Sequence, residues 1–123
     1  MEIAKGFDQK TIDNEVLKIK SVASGISVSN DDSFNKVARV YFALKKMKED
    51  NNWDSLAVQC CSQMQELYGI APCLAYCWMG SEDGIAVSCE GDVQGSMSML
   101  LLNYISNSEK SVSYTHLTLP TKA

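Results

Sequence analysis

Ile85-Ala86-Val87-Ser88-Cys89-Glu90-Gly91-Asp92 is the stretch on which the reading of this chain turns: an apolar, strand-like run ends in two carboxylates and passes directly into a Met- and Leu-rich segment. A strand that hands over to a helix is the unit of an α/β protein, and acidic groups at its carboxyl end lie where such folds place ligands and chemistry. If the pleat continues to Asp92, alternate side chains share a face, so Ala86, Ser88, Glu90 and Asp92 point one way and Ile85, Val87 and Cys89 the other. On that expectation the two carboxylates converge on one spot. Gly91 and Gly95 leave room for a ligand or ion to come close to the backbone.

Downstream, Val93, Met97, Leu100, Leu101 and Tyr104 form a stripe that predicts a final helix packed on the sheet. Upstream, Gly80-Ser81-Glu82-Asp83-Gly84 reads as a loop or single turn and Pro72 to Trp78 as another strand. Met64, Leu67 and Tyr68 predict a short helix closed by Gly69 in a left-handed cap. Ser55 to Cys60, short and uncharged, reads as a buried parallel strand. Two amphipathic helices precede it. The first, from Asp8 to about Ala23, carries Ile12, Val16, Ile19 and Ala23 on one face. The second starts from the Ser29-Asn30-Asp31-Asp32 signal, carries Phe34, Val37, Ala38, Tyr41, Leu44 and Met47, and ends at Asn51-Asn52. The order helix, helix, strand, helix, strand, strand, helix is that of an α/β protein, and three short strands make a thin sheet that belongs in a larger unit.

The chain has 123 residues, 46% hydrophobic and 21% charged, enough for one domain with its own core. A formal charge of -4 and a pI near 4.9 argue against broad binding to nucleic acid or to an anionic membrane, which need a basic patch. Lys45, Lys46 and Lys48 run into Glu49 and Asp50 and read as a solvated helix end. The first residues lack an apolar leader, and no apolar run, Met99 to Leu102 included, approaches the roughly 20 residues of a membrane span. Five cysteines without a small-scaffold spacing fit reduced thiols in a cytoplasmic protein. Cys73 and Cys77 lack a second pair and read as small buried hydrophobes rather than a zinc half-site.

From Val112 the character changes. Val112-Ser113-Tyr114-Thr115-His116-Leu117-Thr118-Leu119-Pro120-Thr121 matches, residue for residue, one reading frame of the transposon-end adapter used in sequencing libraries. Residues 112–123 are therefore expected to be adapter-derived, against the alternative of a β-rich natural tail. His116, the sole histidine of the sequence, lies inside this segment and receives no role.

The block from Asp31 to Ser106 resembles the L-fucose/L-arabinose isomerase family, in its fucose-isomerase-like branch. The resemblance is carried by Ala38-Arg39-Val40-Tyr41-Phe42-Ala43-Leu44, by Tyr68-Gly69-Ile70-Ala71-Pro72-Cys73-Leu74-Ala75, and above all by Asp83 to Val93 leading into Gly95-Ser96-Met97. It implies a partial Rossmann-like parallel sheet flanked by helices, an internal piece of a larger multidomain and homo-oligomeric enzyme. Residues 1–30 are then a helical lead-in, and residues 31–111 part of the second α/β domain running into the metal site. It further implies aldose–ketose isomerisation assisted by a divalent metal, usually Mn2+, with a sugar as substrate. By this resemblance Asp92 corresponds to a metal-ligating Asp. Glu90 is an alternative ligand or a partner beside the metal, and Glu82 is the nearby candidate for an upstream Glu. The remaining His is expected from sequence beyond Lys110, so the chain alone is expected to bind metal weakly and turn over no sugar.

The chemistry suits these residue types. Moving a carbonyl between adjacent sugar carbons takes a proton from one and returns it to the other through an enediol, and carboxylates serve as base and acid. A hard divalent ion on oxygen ligands stabilises the enediolate. Asp92 is also well placed to cap the final helix, a role that coexists with ligation. Two other readings stand beside the isomerase: a non-catalytic sugar-binding or regulatory module, and an interaction subunit joined through Val93 to Ile105. Trp78 and Met79 could line a sugar pocket, but aromatic and thioether residues at a strand end are more often core, and they are assigned no role. A truncated sheet would expose edges and apolar surface, so the isolated chain is expected to aggregate or be partly molten.

Overall fold

A computed structural model describes residues 2–26, 31–60 and 62–106. The Ser29 start signal falls partly outside them, and the segment from residue 107 onward wholly so. The first amphipathic pattern forms α2 (Gln9–Val22), preceded by the single turn α1 (Glu2–Lys5). Asp8 caps α2, its carboxylate accepting from the Thr11 N–H at 3.4 Å. The buried stripe is Ile12, Val16 and Ile19, as the spacing predicts, whereas Ala23 lies past the helix end as its exposed C-cap. The second pattern forms α3 (Asp31–Asn51). Ile12, Val16 and Ala38 join the two helices in one cluster, with Phe7, Phe34 and Phe42 packed against it. Ile12 is wholly shielded, a burial worth roughly 1.5–3 kcal/mol. Arg39 fixes the α1–α2 junction, donating to the carbonyls of Ala4 (3.1 Å) and Phe7 (3.4 Å) and to Gln9 Oε1 (2.6 Å).

β1 (Ser55–Ala57) and β2 (Ala86–Ser88) pair in parallel with Leu56 opposite Val87. Parallel strands need a crossover. Here it runs through α4 (Gln63–Tyr68), closed by Gly69 in the left-handed conformation, and α5 (Cys73–Asp83). α6 (Val93–Ser106) follows β2. The architecture is mixed α/β, mostly helical, with a two-stranded sheet among the described residues.

Two expectations are corrected. Pro72 to Trp78 is not a strand: α5 occupies it and continues through the expected loop to Asp83. α5 buries Ala75, Tyr76, Trp78, Met79 and Gly80, so it is covered on more than one side and displays no clean amphipathic stripe. Pro72 at its start costs no hydrogen bond, because the first N–H groups of a helix have no partner within it. The sheet consequently has one strand fewer than expected. The second correction concerns α6, which forms where predicted but turns a different face to the sheet. Ser96 and Met99 are buried, whereas Val93, Met97, Leu101 and Tyr104 are exposed. Small side chains let α6 close on β1, and Ser96 Oγ donates to the Leu56 carbonyl at 3.1 Å.

α5 is tied down at its middle and at its carboxyl end. Trp78 Nε1 donates to Glu15 Oε1 at 2.7 Å, and Lys18 pairs with the other Glu15 oxygen at 3.0 Å. Tyr41 OH donates to Asp83 Oδ2 at 2.8 Å, and Lys45 pairs with Asp83 Oδ1. No helix among the described residues is long and apolar enough to cross a membrane.

Candidate functional site at the carboxyl edge of the sheet

β2 leaves the pleat soon after Ser88. Glu90 (φ 59°) and Gly91 (φ 68°) are both left-handed, so Glu90 and Asp92 do not share a strand face as the alternation had suggested. The turn is pinned by backbone bonds: Val58 N–H to Ser88 O, Gly91 N–H to Val58 O and Asp92 N–H to Cys89 O, each 3.1 Å. Gly91 suits its place twice over. Its φ is positive, and a Cβ there would lie 3.0 Å from Gln59 Oε1. Glu90 holds a similar conformation with a Cβ, at a cost of roughly 1–2 kcal/mol. Strain of this kind persists where the surroundings enforce it and clusters at functional sites.

Asp92 is the N-cap of α6. Its Oδ1 accepts from Gly95 N–H at 2.8 Å, and its carbonyl accepts from Ser96 N–H at 3.0 Å and from Ser88 Oγ at 2.6 Å. One carboxylate oxygen is thus committed to the helix, leaving the other for a further partner on a half-buried side chain. Glu90 is exposed beside it. Glu82 is elsewhere: it sits in the last turn of α5, where the chain enters β2 at its amino end. At about 3.3 Å per residue, the run from Ile85 to Cys89 separates the two edges by about 13 Å. Glu82 and Asp92 therefore start from opposite edges of the sheet.

Three thiols share the carboxyl edge. Cys60 follows β1, Cys73 opens α5 and Cys89 follows β2, and their sulfurs all lie within 4.8 Å of one another. The Cys73 and Cys89 sulfurs are 3.9 Å apart. Burial pushes the Cys89 thiol up to about 12, reinforced by its hydrogen bond with Cys60 and by Cys73. Burial likewise raises Cys77, which is not in the cluster. The Tyr76 hydroxyl is buried without a hydrogen-bond partner. Its pKa is raised by burial and then by the Cys60, Cys89 and Cys73 sulfurs. Cys73 is exposed, so the reading of Cys73 and Cys77 as a pair of buried hydrophobes fails for Cys73. Spacing could not reveal the cluster, since each cysteine comes from a different element. Trp78 and Met79 are core residues, as expected.

This edge therefore carries both hard oxygen donors, Asp92 and Glu90, and a cluster of soft sulfur donors. No family model matches the chain, and no solved structure matches it. Over 73 residues, 59% of the chain, it is 36% identical to the sulfoquinovose isomerase of Priestia aryabhattai. The same figures hold for the sulfoquinovose isomerase of Priestia megaterium. The match spans 16% of the length of each relative, so the similarity is to part of a sugar isomerase.

Proposed function

We propose that this chain is part of a sugar isomerase that interconverts an aldose and a ketose through an enediol, and that the loop after β2 contributes to its active site. The 36% identity to sulfoquinovose isomerases supports the reaction class. The observation that carries the site is the pairing of a strained, exposed Glu90 with a half-buried Asp92 at the carboxyl edge of a parallel sheet. A Rossmann-like parent sheet, extended by strands beyond the two seen here, belongs to the same proposal.

The residues fit one arm of a hard-metal site. Asp92 would hold Mn2+ through the oxygen not used in capping, with Glu90 as a further ligand or as the group that carries the proton between the two sugar carbons. Mn2+, when bound, would supply electrostatic stabilisation of the charge that develops on the enediolate oxygen. Capping holds the Asp92 carboxylate in a fixed orientation, and the 2.6 Å bond from Ser88 Oγ fixes the backbone behind it. The relatives are named for sulfoquinovose, which joins L-fucose and L-arabinose as a candidate substrate.

The test follows the proton. The isomerase carrying this segment, supplied with Mn2+ in deuterated water, should form ketose from one of these sugars with deuterium at the carbon that exchanges, and Asp92→Asn should abolish both. Full turnover in Asp92→Asn would remove Asp92 from the site. Turnover by the present chain alone would show that the remaining ligand lies within it.

A further inference from the structure

We propose that Cys60, Cys73 and Cys89 together bind one Zn2+ ion, at a site separate from the carboxylates. Zn2+ holds thiolate sulfur at about 2.3 Å in a tetrahedron, which sets the sulfurs about 3.8 Å apart. The Cys73 and Cys89 sulfurs are already 3.9 Å apart, and all three lie within 4.8 Å of one another. Small side-chain rotations are enough to close the triangle. The ligands come from the loop after β1, the first turn of α5 and the loop after β2, so the ion would tie both strand ends to the crossover helix. Cys73 stands at the amino end of an 11-residue helix, where the helix dipole favours the negative charge of a bound thiolate.

A second observation points into the same place. Tyr76 is 4% exposed and its hydroxyl has no hydrogen-bond partner, an arrangement native interiors rarely tolerate. Three protein sulfurs leave the fourth position of the tetrahedron to water, and a metal-bound water would give that hydroxyl the partner it lacks. Binding converts each ligating thiol to a thiolate and releases its proton to solvent, with no change of oxidation state. Mn2+ prefers oxygen ligands, so the sulfur site and the carboxylate site select different ions.

Cobalt reports on the site directly. The reduced, chelator-stripped full chain should take up one Co2+ with a strong near-ultraviolet thiolate-to-cobalt band and the visible bands of a tetrahedral ion, and one equivalent of Zn2+ should erase both. Cys73→Ser, at an exposed position, and Cys89→Ser should each lose the thiolate band, with unchanged circular dichroism confirming the fold. Cys77→Ser should keep it. A weak octahedral spectrum in the wild-type chain, or a thiolate band that survives in the Cys73→Ser/Cys89→Ser double variant, would overturn the proposal.

Discussion

Asp92 has one role visible in its hydrogen bonds and one proposed from its position, and two substitutions separate them. Asp92→Ala removes the oxygen that accepts from Gly95 N–H at 2.8 Å, leaving an N–H of the first turn of α6 without its acceptor. Loss of an N-cap costs about 1 kcal/mol, within a range of roughly 0.5–2. Asp92→Asn keeps an oxygen acceptor in the same place, and Asn caps as well as Asp. It forfeits the attraction of the carboxylate to the helix N-terminus, about 0.5 kcal/mol. The bonds from Ser88 Oγ and Ser96 N–H end on the Asp92 backbone carbonyl and survive in both variants. Urea denaturation should therefore place Asp92→Ala about 1 kcal/mol below wild type, or roughly 4 °C in Tm for a domain of this size, with Asp92→Asn at about half that loss. Equal losses in the two variants, or none in Asp92→Ala, would refute the claim that Oδ1 caps α6.

Glu90→Gly should raise stability by up to about 1 kcal/mol, because glycine occupies the left-handed region freely, while weakening Mn2+ binding; a lower urea midpoint would contradict the strain at φ 59°. Glu15→Ala strands the buried Trp78 N–H and should cost about 1–3 kcal/mol, whereas Glu15→Gln keeps an acceptor and should cost less than 1, as read from tryptophan-monitored melting. Alkali should destabilise the fold through Tyr41, whose pKa is raised above 10.0 by burial first, then by its hydrogen bond to Asp83 and nearby carboxylates. Below pH 10.0 the folded and unfolded tyrosine are both protonated and the stabilisation is complete. Above it the unfolded chain loses a proton that the folded chain keeps, so stability falls as pH rises. Tyr41→Phe should flatten that slope in denaturation midpoints taken across the alkaline range.

The amphipathic helices were legible because their buried residues recur at helical spacing: Ile12, Val16 and Ile19 in α2, and Val37, Ala38, Val40 and Tyr41 in α3. β1 and β2 were legible as short uncharged runs, and the capping role of Asp92 as an acidic residue ahead of a helical segment. α5 was not, because a helix covered on several sides loses the 3.6-residue signature and its Cys73-to-Gly80 run carries no charge. The face of α6 was misread for a related reason. Hydrophobicity selects the bulkiest stripe, yet close approach to a two-stranded sheet selects the small Ser96, leaving Leu101 59% exposed. The carboxylates were found by position, but the left-handed turn at Glu90 and Gly91 that orients them depends on Val58 and Gln59, far away in sequence. The thiol cluster is a tertiary fact with no local pattern to announce it.

Asp92 as a hard-metal ligand is tested most directly by titrating the chain with Mn2+ and following the free-ion signal by electron paramagnetic resonance. The wild-type chain is predicted to take up one Mn2+ weakly, Cys73→Ser to match it, and Asp92→Asn, folded and capped, to take up none. Uptake by Asp92→Asn equal to that of the wild type would contradict the assignment.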